Sequence, residues 1–376
     1  MTARTPESIL TDVYRRANAS LSKTVIKDAD IRARVDFVCR CLNNRAGVRL
    51  LMACLLGKLH KPKVDPRKPY TEIGSADSFS GRTYDEQYLT EFISKHRLPC
   101  NPTTAFLTPT LRNINHALTT SRVLVGRPRE LYEKTLQLLD DVAKNRIATD
   151  VLFVETVRVL LQLRDEKLAR IAALMSSLAR GAGALPLSSE AIVDLVSQHL
   201  KCRNASRLPV LIVAAAYQAA GDCLSERVLP LNAHNAADLQ TQSLGDVEIC
   251  LVGDDAVVTA YEMKTRRVTI DDIDCAVTKI ARSRNRINNY LFVTTDTIEP
   301  DVVAHAKGVY EETAGTEIAV LDCIGFLRHF LHLFHRIRGD FLDAYQVLVL
   351  HEPDSAVSQA LKEAFLALRQ AAESGE

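Results

Sequence analysis

The chain has 376 residues, of which 47% are hydrophobic and 25% charged, and its net charge of +1 at pH 7 is ordinary for a soluble globular protein long enough for two domains. Its nine cysteines form no C-x-x-C pair, which argues against a zinc knuckle and a disulfide framework and favours a reducing cytoplasm. The polar N-terminus and the short apolar runs predict neither a signal peptide nor a membrane-spanning helix.

The charge is distributed unevenly along the chain. Residues 1–150 contain 25 lysines and arginines against 16 aspartates and glutamates, an excess of nine positive charges, so the remaining residues carry a net charge of −8. A basic half suits contact with the phosphates of DNA, and an acidic half suits the binding of a metal ion.

Three helices are predicted between residues 6 and 57. Apolar side chains recur on one side of 6–14 and of 28–42, whereas 47–56 is almost wholly apolar and is expected to be buried. The loop 58–70 that follows is broken by prolines and rich in cationic side chains. It is either a solvated loop or one that contacts phosphate groups.

Residues 75–112 carry polar groups suited to DNA contact. Thr83 and Glu86 have the spacing of a capping box, which predicts a helix that runs to about His96, and another helix is predicted after Pro109. Hydroxyl, amide and guanidinium groups beside loops and helix starts can contact phosphates and base edges, although any capped turn also needs them. The candidate DNA-binding residues here are Ser80, Arg82, Asn101, Thr103, Thr104, Arg112 and Asn113.

A domain boundary is predicted in the middle of the chain. Two amphipathic helices are expected between residues 130 and 175, and the glycine-rich segment 181–186 follows them. We therefore expect a mainly helical region at 1–185 and a second domain at 186–376.

Helices and strands alternate in this second domain. Ser188 is predicted to cap a helix that ends near His199. Further helices are predicted at 208–220, 271–289, 300–313 and 323–337, and strands at 225–231, 247–252, 256–263, 290–294 and 317–321. A strand reached through a helix implies a parallel crossover, so the fold class is α/β with a mixed sheet and an α-β-β-β-α-β order up to the fourth strand.

The second and third strands form a predicted hairpin with a glycine–aspartate turn. Apolar side chains alternate with charged ones, so one face of the ribbon suits a core and the other carries charge. If the turn is centred near Asp254, Asp246 lies opposite Glu262, and Lys264 lies one step along the same face.

Two carboxylates and an ammonium group at one end of a ribbon suit metal chemistry. Mg²⁺ prefers one or two carboxylates with waters and a substrate phosphate, and it lowers the pKa of a bound water. A neighbouring lysine can orient that water or accept its proton. The alternative is a solvated hairpin face whose Glu–Lys pair contributes less than ~1 kcal/mol. No G-x-x-x-x-G-K-[ST] or H-E-x-x-H motif suggests nucleotide or zinc chemistry.

The hairpin residues resemble the PD-(D/E)xK nuclease superfamily. G-D-V-E-I and Y-E-M-K occur in the predicted α-β-β-β-α-β order, with Gly245 in place of the proline of the motif name. The wider chain, over most of residues 75–325, is similar to type II restriction endonucleases of the SacI family. The stretches that carry this similarity are F-S-G-R-T-Y-D-E (Phe79–Glu86), L-P-C-N-P-T-T-A-F-L-T-P (Leu98–Pro109) and N-A-H-N-A-A-D-L-Q-T-Q-S-L-G-D-V-E-I (Asn232–Ile249).

The resemblance implies a role for each region of the chain. Residues 1–185 become a DNA-recognition region, and residues 186–376 become a PD-(D/E)xK-like catalytic domain with a helical C-terminus. Asp246 and Glu262 are implied as Mg²⁺ ligands, and Lys264 is implied as the group that orients the attacking water.

Further site residues are less closely tied to the motif. Members of the superfamily often add an acid from the first helix or strand of the core, which makes Glu226 a candidate catalytic residue; a solvent-facing charge is the alternative. Glu248 shares the charged face of the ribbon. His234 and Asn235 are candidate DNA-binding residues in the loop before the site, and with Asp238 they could instead form Asx turns.

The implied function is that of a Mg²⁺-dependent type II restriction endonuclease, which hydrolyses phosphodiester bonds in double-stranded DNA at a short specific site. A palindromic site calls for a homodimer, and such an enzyme is expected to act beside a cognate DNA methyltransferase. The alternatives are another nuclease of the superfamily, dedicated to repair or to modified DNA, and a non-catalytic DNA-binding protein with a nuclease-like core.

Overall fold

A computed structural model of the chain describes residues 4–41, 44–101, 103–180, 186–232, 243–283 and 287–374. The contacts divide it into two compact units, Met1–Ala169 and Arg170–Glu376. This division falls inside a long helix, earlier in the chain than the predicted boundary. The glycine-rich segment proposed as that boundary lies, except for Pro186, outside the described residues.

The first unit is helical. Its helices are α1 (Pro6–Ala19), α2 (Ala29–Arg40), α3 (Ala46–His60), α4 (Gly81–Tyr84), α5 (Thr90–His96), α6 (Arg129–Ala143) and the greater part of α7 (Thr149–Arg180). The predicted helices in 6–57 and 130–175 are thereby confirmed. Every residue of α3 from Ala46 to Gly57 is buried, because all of them except Arg49 are apolar and the helix packs against α1, α2, α4 and α6.

A buried ion pair ties α3 to the segment after α4. The guanidinium group of Arg49 donates to the carboxylate of Asp85, and both side chains are almost inaccessible to solvent. Asp85 opens the π-helical stretch Asp85–Leu89 and also accepts hydrogen bonds from the Thr104 hydroxyl and the Ala105 amide. Burial raises the pKa of the Asp85 carboxyl, although these partners oppose the shift. Removal of one partner of such a pair typically costs about 3–5 kcal/mol.

Two details of this region differ from the prediction. The residue that caps α4 is Ser80, whose hydroxyl accepts the Thr83 amide hydrogen at 3.2 Å, and the predicted capping box of Thr83 with Glu86 is wrong. The helix predicted after Pro109 is also wrong. Residues 109–113 form turns, and Asn113 has a φ of 59°, a left-handed conformation that does not continue a helix.

The second unit contains the sheet. Its helices are α8 (Ser189–Leu200), α9 (Leu208–Leu224), α10 (Ile270–Arg282), α11 (Pro300–Gly308), α12 (Cys323–Leu333), α13 (Arg338–His351) and α14 (Gln359–Ser374). Its strands are β1 (Glu226–Val228), β2 (Val247–Leu251), β3 (Val257–Lys264), β4 (Asn289–Thr294) and β5 (Glu317–Asp322). Helix α9 continues past its predicted end and stops where Ser225 adopts a left-handed conformation. Across the described ranges, no helix is both long and apolar enough to cross a bilayer.

The five strands form one mixed sheet in the order β1-β2-β3-β4-β5. The pairs β1–β2 and β2–β3 are antiparallel, whereas β3–β4 and β4–β5 are parallel and are connected through α10 and α11. The mixed α/β class is therefore confirmed, and the elements from α9 to β4 follow in the order α-β-β-β-α-β. This arrangement makes β3 the central strand.

The two faces of the sheet pack into separate cores. Val247, Ile249 and Tyr261 belong to the core that contains α9, α12 and α13. Ala260 and Tyr290 belong to the smaller core that contains residues of α10 and α11. Since successive side chains of a strand point to opposite faces, the residues that alternate with Tyr261 along β3 lie on the α10 face.

A buried histidine links three helices of this unit. His199 on α8 is fully buried, its Nδ1 atom lies 3.0 Å from the Tyr345 hydroxyl, and its Nε2 atom lies 3.0 Å from the Leu361 carbonyl oxygen. A carbonyl oxygen only accepts, so Nε2 carries the hydrogen and Nδ1 accepts from Tyr345. Burial lowers the pKa of His199 to about 4.

This pKa predicts an acid-sensitive fold. In the unfolded chain His199 binds a proton with a pKa of about 6.5, whereas in the folded chain it resists protonation. The contribution of His199 to the free energy of unfolding is therefore fully present above pH 6.5 and is lost as the pH falls towards 4. Between pH 7 and pH 5, the free energy of unfolding is expected to fall by about 2 kcal/mol through His199 alone. Urea denaturation at the two pH values measures this change in the free energy of unfolding.

The matched variant is His199→Gln, whose amide can still donate to Leu361 but does not titrate. We expect it to be less stable at pH 7 and to lose less stability than the wild type on acidification. An equal loss in both proteins would contradict the assignment.

Candidate active site

The register of the β2–β3 hairpin places the charged residues of the site. Val247 pairs with Tyr261, and continuation of this pairing by one residue sets Asp246 opposite Glu262, as the alternation predicts. The backbone amide of Asp246 donates to the Tyr261 carbonyl at 2.7 Å, and its Oδ2 atom accepts the Met263 amide hydrogen at 2.7 Å. Asp246 is thus held against β3 by its own carboxylate.

Glu262 lies at the centre of a group of charged side chains on the α10 face. Lys264 donates to its Oε1 atom at 2.9 Å, and Lys279 contacts its Oε2 atom at 3.4 Å. Lys264 also lies 3.5 Å from Asp272. We call Asp246, Glu262, Lys264, Asp272 and Lys279 the acid–lysine cluster. The side chains of Glu262 and Lys264 are only 15% and 21% exposed, so their charges interact more strongly than at an open surface.

Asp272 enters the cluster from the first turn of α10. Thr269 and Asp272 form a capping box that starts this helix, and Arg266 donates two hydrogen bonds of 2.8 Å to the Asp272 carboxylate. Burial raises the pKa of Asp272, but hydrogen bonds from Arg266 and Thr269 and the charge of Lys264 outweigh it and hold this pKa well below its usual range. Asp272 is therefore a permanent anion beside Lys264.

Two side chains hold the backbone that leads into Asp246. Glu248 accepts the Leu244 amide hydrogen at 2.7 Å, and the buried Tyr290 hydroxyl donates to the Leu244 carbonyl at 2.9 Å. The Tyr290 hydroxyl also lies 3.3 Å from Oε2 of Glu262. Glu248 therefore supports the approach to the site, a role that its position on the charged face left undefined.

Gly245 explains the departure from the motif name. A Cβ atom at this position would lie 2.5 Å from the carbonyl oxygen of Tyr261, closer than real Cβ atoms approach any backbone atom. The chain can pass β3 here only without a side chain, and this contact excludes the proline found in the motif name.

Glu226, which is predicted as a further catalytic acid, lies apart from the acid–lysine cluster. It pairs with Leu251, at the end of β2 away from Asp246. Its charge acts on Tyr217 and Tyr261, which belong to the core on the other face of the sheet. Burial raises the pKa of Glu226 without a cation to oppose it.

The candidate DNA-binding residues of the first unit fall into two groups. Thr104 is buried and donates to Asp85 at 2.7 Å, so it is unable to contact DNA. The hydroxyl group of Ser80 caps α4 and so has a structural role, whereas Asn101 accepts from Arg49 through its backbone carbonyl oxygen. The exposed candidates are Arg82, Thr103, Arg112 and Asn113, with Arg82 also paired to Glu86. His234, Asn235 and Asp238 lie outside the described residues.

Two carboxylates of the acid–lysine cluster are the candidate ligands of a divalent ion. Asp246 and Glu262 supply two carboxylates from opposed strand positions, which is the number that this ion prefers beside water and phosphate ligands. Within the described segments, no group of three or more His, Cys, Asp or Glu residues has metal-binding geometry. Both oxygens of Glu262 already contact lysines, so an ion bound there takes the place of an ammonium group.

Three members of the site were not singled out from the sequence. Asp272 could have been found, because Thr269-x-x-Asp272 is itself a capping-box spacing before a helix. Lys279 lies within the helix predicted at 271–289, and no motif points to its contact with Glu262. Tyr290 begins the strand predicted at 290–294, and the contact of its hydroxyl group with Glu262 depends on the pairing of this strand with β3.

Comparisons with known proteins leave the site to be interpreted from its own geometry. No model of a known protein family matches the chain, and no curated protein matches it. The contacts of the acid–lysine cluster and the resemblance of the hairpin residues to the PD-(D/E)xK motif are therefore the guides to its function.

The close approach at Gly245 leads to a stability prediction. Gly245→Ala forces the backbone of β2 away from Tyr261, and we expect a loss of about 1–3 kcal/mol in the free energy of unfolding. The control is Gly308→Ala at the end of α11, where a Cβ atom meets nothing within 4 Å. That change is expected to be neutral or stabilising by up to about 1 kcal/mol. Thermal melting compares the two variants, and equal melting temperatures would contradict a steric requirement for glycine at position 245.

Proposed function

We propose that the protein is a Mg²⁺-dependent type II restriction endonuclease of the PD-(D/E)xK superfamily, similar to the SacI family. The observation that carries the proposal is the grouping of Asp246, Glu262 and Lys264 on one face of the β2–β3 hairpin. An α-β-β-β-α-β order of elements around that hairpin supports it.

Four residues of the cluster have a task in phosphodiester hydrolysis. Asp246 and Glu262 hold the metal ion, which when bound supplies positive charge to the phosphodiester and lowers the pKa of a water. Lys264 orients the attacking water through its ammonium group. Asp272 is a positioning residue, because its permanent charge keeps the Lys264 ammonium group beside Glu262.

The basic first part of the chain supports DNA as the substrate. Residues 1–150 carry an excess of nine positive charges, since they contain 25 lysines and arginines against 16 aspartates and glutamates. Exposed Arg82, Thr103, Arg112 and Asn113 are suited to contacts with phosphates and base edges. A homodimer would present one site to each strand of a palindrome, and a DNA methyltransferase in the same cytoplasm would protect the host sites.

Cleavage of DNA of known sequence tests the proposal. With Mg²⁺ we expect the wild-type protein to give discrete fragments whose ends map to one short sequence. A smear would indicate a nuclease without site specificity, and binding without cleavage would indicate a non-catalytic DNA-binding protein. Either result would overturn the assignment as a restriction endonuclease.

Variants of the cluster test the site itself. Asp246→Ala, Glu262→Gln and Lys264→Met are each expected to slow cleavage by at least about 10²-fold, because each removes a metal ligand or the group that orients water. Binding of the same DNA with Ca²⁺ in place of Mg²⁺ is expected to persist. Glu226→Gln is the matched control, since this acid lies on the other face of the sheet, and it is expected to cut at the wild-type rate.

A further inference from the structure

Lys279 is a second lysine of the site and comes from a different element than Lys264. It lies on α10, seven residues after Asp272, so the two side chains stand about two helical turns apart on the same side. Ile273 and Ala276, on the buried side of this helix, pack into the core beneath the sheet. The helix backbone that carries Lys279 is therefore fixed relative to β3.

The two lysines hold Glu262 in different ways. Lys264 is shared between Glu262 at 2.9 Å and Asp272 at 3.5 Å, and it therefore has two acids beside it. Lys279 reaches the other oxygen of Glu262 at the longer distance of 3.4 Å. Two ammonium groups around a single carboxylate repel each other, and an additional anion between them would be attracted by both.

Binding of a cation at Glu262 would change this balance. A metal ion on the carboxylate repels both ammonium groups and takes the place of the weaker contact, that of Lys279. The side chain of Lys279 is 29% exposed, and its flexible four-carbon stem allows the ammonium group to move without any movement of α10. It can then reach an anion that lies over the cluster.

We propose that Lys279 binds a phosphate of the DNA backbone at the active site, exchanging its contact with Glu262 for a non-bridging phosphate oxygen. This inference rests on the proposed nuclease function and adds a substrate-binding residue to it. The competing explanation is that Lys279 only neutralises Glu262 and never touches DNA. The two explanations differ in how DNA binding responds to salt, because a phosphate contact releases counterions and a contact within the protein does not.

The experiment measures binding of the protein to a duplex that contains the wild-type cleavage site, with Ca²⁺ in place of Mg²⁺, over a series of KCl concentrations. For Lys279→Met we expect weaker binding and a slope of log K against log [KCl] that is shallower by about 0.9. Lys279→Arg keeps the charge and is expected to keep the wild-type slope. The control Lys201→Met removes an exposed charge just after α8 and is expected to leave the slope unchanged.

The outcomes separate this inference from the proposed function. If the wild-type protein cuts the duplex and Lys279→Met binds it with the wild-type slope, the role of Lys279 is overturned and the nuclease assignment stands. If the wild-type protein neither binds nor cuts, both are overturned. Thermal melting of each variant shows whether a shallower slope comes from a folded protein. If Lys279→Arg, which keeps the charge, also has a shallower slope than the wild type, the proposed contact between the Lys279 charge and a phosphate is contradicted.

Discussion

The antiparallel pairing of β2 with β3 is the constraint on which the geometry of the site depends. Side chains alternate between the two faces of a strand, so a shift of one residue would turn Glu262 towards the core and Tyr261 towards the site. Two contacts between the strands oppose such a shift. Asp246 is hydrogen-bonded to Met263, and Gly245 passes so close to the Tyr261 carbonyl that only glycine fits there.

Charge balance within the cluster depends on α10 as much as on the hairpin. Asp272 at the start of the helix contacts Lys264 of β3, and Lys279 near the end of the helix contacts Glu262 of the same strand. Since α10 connects the parallel strands β3 and β4, it lies across the face of the sheet from which the charged side chains project. The crossover therefore both supports the sheet and completes the electrostatics of the site.

The first unit shows how the same polar residue types can be structural or accessible. Thr104 and Arg49 are fully occupied around the buried carboxylate of Asp85, where an unpaired polar group would cost free energy. Thr103 and Arg112, close to them in sequence, are exposed. Composition and local spacing do not distinguish the buried residues from the exposed ones, because burial depends on tertiary packing.

The sequence by itself determined the mixed α/β class, the α-β-β-β-α-β order and the face shared by Asp246, Glu262 and Lys264, because these follow from local periodicity and one short turn. Only the tertiary structure decided that Glu226 lies on the other face of the sheet, that Lys279 and Tyr290 contact Glu262, and that Asp272 lies beside Lys264. These positions depend on strand order and on the packing of α10, which bring together residues far apart in the chain, and no local pattern encodes such distances.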